Sequence, residues 1–265
     1  RERSRTIDSI VKEVEACIEQ GFIEITLLGQ NVNSFRTPDG EFPELLDAVS
    51  KVKGLKRLRY TSPHPRDIDD HLLNVMKKNK NICNHIHLPL QAGSDRILKR
   101  MNRTYSKKEF LDLVIKIKKY LPDCSITTDI IVGFPGETEE EFSDTLDVAE
   151  KVIFDNSFMF KYSPRPGTKA AGYTDQVDEE VKQNRLERYI ALQKILTLKN
   201  NKLKIGKTFE VLVEKESKKS ANQWAGRIEN NVWVIFDKKD GYKIGDIVNV
   251  NIIDAQGISL FGNIN

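Results

Sequence analysis

The chain has 265 residues, 39% of them hydrophobic, and its 42 basic and 39 acidic residues leave a formal net charge of only +3. This composition is typical of a globular protein that can bury one large core and a second, smaller one. The charge is too small to indicate a polyanionic partner by itself. No apolar run approaches the roughly 20 residues that a membrane-spanning helix needs, and no signal peptide is evident, so we expect a cytoplasmic protein with no membrane partner.

Helical and strand patterns alternate along the first 205 residues. A first helix is predicted from Ile7, because apolar residues recur there at a spacing of three and four, and Gly21 ends it. Short apolar runs then alternate with further helices, which predicts βαβ units, a parallel sheet and, through right-handed crossovers, a closed or partial barrel. The strands are predicted at 23–28, 55–60, 85–88, 125–132 and 157–160, and the helices between them at 43–52, 68–78, 107–121 and 139–152.

Two features are missing from this pattern. The series begins with a helix and the chain begins with Arg1 rather than Met, so we expect the partner strand of that helix to lie upstream of residue 1. The three cysteines, Cys17, Cys83 and Cys124, are far apart and do not have the spacing of a metal site. Their apolar neighbours predict buried free thiols, and we expect no metal site within the chain.

A long helical pattern at 178–203 leads into a second, smaller region. Five short segments follow Gly206, several of them alternating, with Gly226, Gly241, Gly245 and Gly257 as the predicted turns. This pattern is typical of a small antiparallel barrel of the OB-like kind. Its strands are predicted at 209–213, 223–228, 232–236, 247–252 and 258–261. We therefore predict two domains, at 1–205 and 206–265.

Polar or glycine-bearing segments follow every predicted strand of the first region. Ligands of parallel α/β barrels bind beyond the carboxyl ends of the strands, so these segments are the first candidates for a binding site. Each also has a plain structural explanation: a turn glycine, a helix N-cap, a core histidine such as His85 or His87, or a solvated Arg103. Their repetition on one rim favours a ligand site. The segments are 29–31, 61–65, 87–94 with 101–105, 129–138 and 162–168.

Four segments, in this order, resemble the serial signatures of the radical-SAM methylthiotransferases: residues 27–33, 88–94, 101–103 and 129–138. The opening residues 1–5 resemble the segment after that family's Cys-x-x-x-Cys-x-x-Cys loop, and residues 206–265 resemble its C-terminal TRAM domain, a small RNA-binding barrel. The resemblance implies an α/β fold, with a partial (βα) barrel of the radical-SAM type lacking its first strand. A small all-β, OB-like TRAM barrel would follow it.

The resemblance also implies cofactors for the intact protein. These are S-adenosylmethionine and two 4Fe–4S clusters, whose ligands would lie outside residues 1–265. The cysteine loop would hold the catalytic cluster and an N-terminal domain the auxiliary one, with an electron donor such as flavodoxin as a partner. The 265 residues alone are expected to be inactive, and the resemblance assigns no catalytic residue within them.

Ten residues are implied by the resemblance to contact S-adenosylmethionine. The methionine portion is assigned to Gly29, Gln30, Asn31, Gln91 and Arg103, the ribose hydroxyls to Ser62 and Asp129, and the adenine to Val132, Gly133 and Phe134. An arginine suits a carboxylate because its planar fork donates two parallel hydrogen bonds. A carboxylate suits a diol because it accepts hydrogen bonds from both hydroxyls.

The implied substrate is the isopentenylated anticodon loop of tRNA, with a methylthio group added to C2 of N6-isopentenyladenosine. Other branches of the family modify threonylcarbamoyladenosine in tRNA or an aspartate of a ribosomal protein, and both stay open. Arg165, Trp224 and Arg227 are candidate substrate contacts, with a surface arginine in a rigid turn and core aromatics as the alternatives. Basic residues at 99–108 and along 182–204 could contact phosphates or be solvated helix faces.

Two other classes of function fit the pattern less well. A metal-free barrel enzyme such as an aldolase or hydrolase needs a catalytic lysine or paired carboxylates at strand ends. Asp129 with Glu137 is the nearby acidic pair, and Glu137 follows Pro135-Gly136 as a residue at a helix start does. A stand-alone RNA-binding protein would not need ribose-type contacts at several strand ends, and it would bind RNA but no adenosine ligand.

Overall fold

The computed structural model describes residues 4–264, which form seven α-helices and twelve β-strands. The helices are α1 (Ile7–Glu19), α2 (Phe42–Ser50), α3 (Asp70–Lys78), α4 (Asp95–Arg100), α5 (Lys107–Tyr120), α6 (Glu139–Val152) and α7 (Glu179–Lys202). The strands are β1 (Glu24–Leu27), β2 (Arg36–Thr37), β3 (Gly40–Glu41), β4 (Arg57–Tyr60), β5 (His85–His87), β6 (Ser125–Val132), β7 (Asn156–Lys161), β8 (Thr208–Ser217), β9 (Ser220–Arg227), β10 (Trp233–Asp237), β11 (Ile247–Gln256) and β12 (Ser259–Ile264).

The first region folds as the predicted parallel sheet with helical crossovers. β1 pairs with β4, and β5, β6 and β7 pair in that order, all of them parallel. A bridge between Leu58 of β4 and Ile82, just before β5, joins the two parts. The strands therefore follow one another as β1-β4-β5-β6-β7, the curved parallel α/β sheet that was expected. Within residues 4–264, β1 and β7 each have one neighbouring strand and form the two edges of this partial barrel.

Short polar residues fix where the helices of this sheet begin. Thr138 and Ser106 start α6 and α5 with capping boxes, in which a glutamate three residues later bonds back to the cap. Ser94 caps α4 by accepting a hydrogen bond from the backbone N–H of Ile97. Neither α4 nor the β2–β3 hairpin was predicted, because a six-residue helix and two-residue strands are too short to show a period.

The main core lies between this sheet and its helices. Its largest fully buried side chains include Phe110, Phe142 and Phe154. Cys83 and Cys124 are buried as expected, and burial raises the pKa of Cys83 to about 11 and that of Cys124 to about 12. Cys17 is only half buried, against expectation, since α1 buries just Val14 fully.

The second region is a closed five-stranded barrel with the order β10-β12-β11-β8-β9. The sequence predicted an antiparallel barrel, and this prediction is wrong for one pair of strands: β10 and β12 run parallel. Five strands in a closed ring cannot each oppose both neighbours, since alternating directions require an even number. Gly226, expected in a turn, lies within β9, where a β-carbon would come 2.1 Å from the carbonyl oxygen of Leu212.

Two buried arginines of β4 attach this barrel to the amino ends of the sheet. Arg57 donates to the backbone carbonyls of Arg227 and Glu210 at 2.6 and 2.8 Å. Arg59 donates to those of Glu229 and Ile228 at 2.7 and 3.2 Å. A guanidinium can satisfy several carbonyls at once because it has five donors in a fixed plane. The small barrel therefore covers the end of the sheet opposite the rim where the polar segments lie.

Replacing Arg59 with methionine should weaken this attachment and lower the free energy of unfolding by about 2 kcal/mol, the typical worth of hydrogen bonds to a charged group. The change leaves two carbonyls without their donor and removes the cation whose Nε atom lies 3.1 Å from the Glu24 carboxylate. Urea unfolding and limited proteolysis between the domains would measure it. Arg66→Met is the control, because the Arg66 side chain is 69% exposed and should be replaceable within 0.5 kcal/mol.

Candidate functional site

Four non-glycine residues at the carboxyl rim of the sheet have the left-handed backbone. They are Asn31 (φ 103°), Ser62 (56°), Gln91 (70°) and Asn102 (60°), in the loops after β1, β4, β5 and α4. Such conformations cost of order 1–3 kcal/mol each and persist where the surrounding structure imposes them, often at ligand sites. Three of the four, Asn31, Ser62 and Gln91, belong to the set assigned to S-adenosylmethionine from the sequence.

The loops after β1 and β4 are pinned to each other. Asn33, 7% exposed, donates from its side chain to the carbonyl of His64 at 2.9 Å and accepts from the His64 N–H at 2.6 Å. The N–H of Val32 also donates to the Ser62 carbonyl at 3.3 Å. Asn33 was not singled out from the sequence. Because Asn33 joins the two loops, residues 29–31 and Ser62 lie close to each other along the rim, and all of them are exposed.

Gln91 sits on the end of β6 as a nearly buried polar residue. Its N–H donates to the Asp129 carbonyl at 2.8 Å, and its own carbonyl accepts from the N–H of Ile131 at 2.9 Å. The residue is 7% exposed, yet no hydrogen bond joins its side-chain amide to any other part of residues 4–264. The atoms of this amide are not sealed from solvent, so they are open to a ligand with donors and acceptors.

Asp129 is held by a histidine that the sequence reading treated as a core residue. The Nε2 atom of His87 lies 3.2 Å from the Asp129 carboxylate, and its Nδ1 atom lies 3.0 Å from the Thr127 hydroxyl. The same hydroxyl lies 3.0 Å from the Nε2 atom of His85. Burial, with nearby Arg59, lowers the pKa of His85 to about 3, so its imidazole is neutral. The Asp129 side chain is 30% exposed and can accept further hydrogen bonds.

The loop after β6 is stabilised by a buried ion pair between Glu137 and Arg185. The carboxylate of Glu137 accepts from the N–H of Gly133 at 2.7 Å and from the guanidinium of Arg185 at 2.9 Å. Gly133 has φ +70°, and a β-carbon there would come 2.3 Å from the side chain of Lys182. Lys182 and Arg185 are therefore buried residues of α7, and they are not part of a solvated basic face. Sequence reasoning had treated Glu137 as a helix-start residue.

The side chains assigned to the adenine are largely covered. Val132 is fully buried in the core, and its carbonyl already accepts from the N–H of Tyr162 at 2.9 Å. Phe134 is 6% exposed and packs edge-on against Tyr162, with ring centres 5.0 Å apart.

The candidate residues do not converge on one cavity within the described chain. Gly29, Gln30 and Asn31 line a groove of about 680 Å³ along β1. Ser62 lines a cavity of about 420 Å³ between the sheet and the small barrel, together with His87. Arg103 lies on a third, larger groove of about 1080 Å³, which Phe134 and Arg165 also line.

The two candidates in the small barrel are half buried. Arg227 donates to both carboxylate oxygens of Glu214, at 2.6 and 3.0 Å, and faces the cavity between the domains. Trp224 is covered by Lys238, whose Nζ atom lies 4.3 Å from the ring centre. In the same barrel Phe236 is a core residue, 1% exposed.

Residues 4–264 contain neither a cluster of metal-ligating side chains nor a helix that could span a membrane. No three His, Cys, Asp or Glu side chains come together in a group that could hold a metal ion. None of the helices is both long and apolar enough to cross a bilayer.

Comparison with known families agrees with this arrangement. Residues 1–149, more than half of the chain, match the sequence profile of the radical SAM superfamily. The chain belongs to the radical SAM superfamily. Residues 202–264 match the TRAM domain, so the five-stranded barrel is a TRAM domain. Both confirm the resemblance that the motif segments had suggested.

Several curated proteins named tRNA-2-methylthio-N(6)-dimethylallyladenosine synthase are similar to this radical SAM chain. The protein from Porphyromonas gingivalis strain W83 is 51% identical over 100% of the chain and 58% of its own length. The one from Acetivibrio thermocellus is 50% identical over 100% of the chain and 55% of its own length. The chain thus spans somewhat more than half the length of these relatives.

Two solved structures share the fold of this radical SAM chain at low sequence identity. Coproporphyrinogen III oxidase from Escherichia coli, a radical SAM enzyme, has a TM-score of 0.53 and 16% identity over 72% of this chain and 46% of its own. A radical S-adenosylmethionine methyltransferase from Kitasatospora setae has a TM-score of 0.51 and 16% identity over 63% of this chain and 33% of its own. They confirm the predicted α/β architecture.

Proposed function

We propose that the protein containing this chain is a radical-SAM methylthiotransferase that adds a methylthio group to C2 of N6-isopentenyladenosine beside the anticodon of tRNA. The observation that carries the proposal is the similarity to proteins named for this product, about half of all residues being identical along the whole chain. The rim described above supports it, because the residues expected to bind the cofactor lie at constrained strand ends.

The side-chain chemistry of the rim residues suits S-adenosylmethionine. Arg103 is exposed and forms no ion pair within the described chain, so its fork is free to bind the methionine carboxylate. The unpartnered amide of Gln91 would bond to the same portion of the cofactor. Asp129, oriented by His87, would accept hydrogen bonds from the ribose hydroxyls. These residues bind and orient the cofactor, which supplies the radical chemistry when it is bound with an iron–sulfur cluster.

The residues of this chain do not fit an iron–sulfur cluster. Two of the three cysteines are buried in the core, with pKa values raised by burial, and the third lies on α1. We therefore place the ligands of both proposed 4Fe–4S clusters outside residues 1–265. An electron donor such as flavodoxin and a cytoplasmic location belong to the same proposal.

The test uses the longest natural reading frame that contains these residues, purified without oxygen. Iron and sulfide are counted, S-adenosylmethionine cleavage is followed, and isopentenylated tRNA is digested for mass analysis of its nucleosides. We expect two clusters and a methylthiolated isopentenyladenosine. A product on threonylcarbamoyladenosine or on a ribosomal protein would keep the radical chemistry and replace the substrate, whereas failure to cleave the cofactor would overturn the assignment.

A further inference from the structure

The groove that contains Arg103 is lined by cations. It runs along the end of β7 between α4 and the segment that follows the sheet, with a volume of about 1080 Å³. No carboxylate is found among its lining residues within 4–264. Its basic lining residues are Arg96, Lys99, Arg100, Arg103, Lys161, Arg165 and Lys169.

Three of these cations are neutralised by neighbours and four are not. Arg96 binds Glu141, Arg100 binds Asp175 and Lys161 binds Glu179. By contrast, the other four are exposed and form no ion pair within the part of the chain that is described: Lys99, Arg103, Arg165 and Lys169. An unpaired basic cluster on one surface is the electrostatic footprint expected of a site that binds phosphates.

An exposed aromatic side chain accompanies these cations. Phe160 lies in the groove on β7 and is 53% exposed. Ser157, on the opposite face of this strand, packs against Tyr189 and Gln193 of α7, so Phe160 points to the inner, open side of the partial barrel. A large exposed ring beside unpaired cations is the combination with which proteins hold single-stranded nucleic acid, since bases stack on the ring while the cations contact the backbone.

We propose that this groove receives the single-stranded loop of the RNA substrate, with its phosphates on Lys99, Arg165 and Lys169 and a base stacked on Phe160. The inference rests on the proposed function, and it assigns the RNA to the sheet side of the protein as well as to the TRAM domain. Arg103, which lines the same groove, is left to the cofactor. The loop would thus arrive beside the residues proposed to hold S-adenosylmethionine.

The salt dependence of RNA binding tests the cationic part of the groove. The full-length protein and its K99Q/R165Q/K169Q variant are titrated with a fluorescent isopentenylated anticodon stem-loop at several salt concentrations. We expect affinity to fall about tenfold or more near 0.1 M salt and the slope of log affinity against log salt to flatten by about 2, since each single-strand phosphate contact contributes about 0.7. The matched control is K77Q/K80Q/K119Q, which removes three exposed lysines near the opposite end of the sheet.

The Phe160→Leu variant tests the aromatic part, because leucine keeps the apolar surface and removes the ring. We expect roughly tenfold weaker RNA binding with an unchanged salt slope. Circular dichroism confirms that each variant is folded, and tRNA methylthiolation by the wild-type protein is scored in parallel. If that product forms but the groove variants bind RNA like the control, the inference is wrong and the proposed function stands. Loss of flavodoxin binding instead of RNA binding would assign the groove to a protein partner, and absence of any RNA binding by the wild type would overturn both proposals.

Discussion

Replacing Arg185 with methionine is expected to lower the free energy of unfolding by about 3–5 kcal/mol, the usual cost of removing one partner of a buried ion pair. The side chains of Arg185 and Glu137 are 5% and 1% exposed, so water cannot replace the guanidinium beside Glu137 once it is removed. The change would also loosen the loop after β6, because Glu137 holds the N–H of Gly133. Urea unfolding followed by far-UV circular dichroism measures the effect, because both tryptophans lie in the small barrel and would not report on this domain.

The stability of the Arg185→Met variant should also depend on pH in a different way from that of the wild-type protein. Burial raises the pKa of Glu137 from 4.5 to about 7, against the opposing effect of Arg185. The folded protein therefore holds more protons than the unfolded chain between those values, and its stability falls as pH rises through them. Without Arg185 the pKa rises further, so the variant should lose more stability at pH 8 than at pH 6. The double variant E137Q/R185M should recover part of the loss, and equal losses in the single and double variants would contradict a coupled pair.

Replacing Gly93 with alanine is expected to lower the free energy of unfolding by about 3 kcal/mol. A β-carbon at Gly93 would lie 2.5 Å from both the carbonyl oxygen of Asp144 and the Cα atom of Thr145, which belong to the backbone of α6 and cannot rotate away. The N–H of Gly93 also donates to the Thr145 hydroxyl at 2.9 Å, so the loop cannot retreat without losing this bond. Overpacking of this kind typically costs 1–3 kcal/mol, and the lost hydrogen bond adds to it.

Gly172→Ala is the matched control for this substitution. Nothing lies within 4 Å of its would-be β-carbon, and its φ is not in the left-handed region. An alanine there should leave the free energy of unfolding unchanged or raise it slightly, because alanine reduces the conformational entropy of the unfolded chain. Similar midpoints for the two variants in urea would show that α6 can shift away from the loop.

The sequence was sufficient for the fold where its signals are local. The strand at 125–132 and the helix at 139–152 have their predicted bounds, since a buried apolar run, Thr138 as N-cap and a regular helical period all agree there. The direction of β12 could not be predicted in this way. Strand direction in a closed barrel depends on all five strands together, and no residue within 258–261 records it.

The candidate site was predictable as a list of strand ends and less so as a set of contacts. The segments that contain Gln91 and Asp129 stand out as polar residues at the ends of buried strands, and the two residues themselves were assigned from the family resemblance. His87 was set aside because a lone histidine is more often structural, and its contact with Asp129 depends on the pairing of β5 with β6. Arg185 lies 48 positions from Glu137, a separation at which sequence pattern carries no signal.

The attachment of the TRAM domain has a consequence for how the two domains can diverge. Arg57 and Arg59 donate hydrogen bonds to main-chain oxygens, which every amino acid carries. These hydrogen bonds do not depend on which side chains stand at those positions. These hydrogen bonds are therefore independent of the side chains at 210 and 227–229, provided that the loop keeps its path, although Ile228 itself is buried in the core of the small barrel. The outer surface of the small barrel can therefore change in sequence while its position on the sheet stays the same.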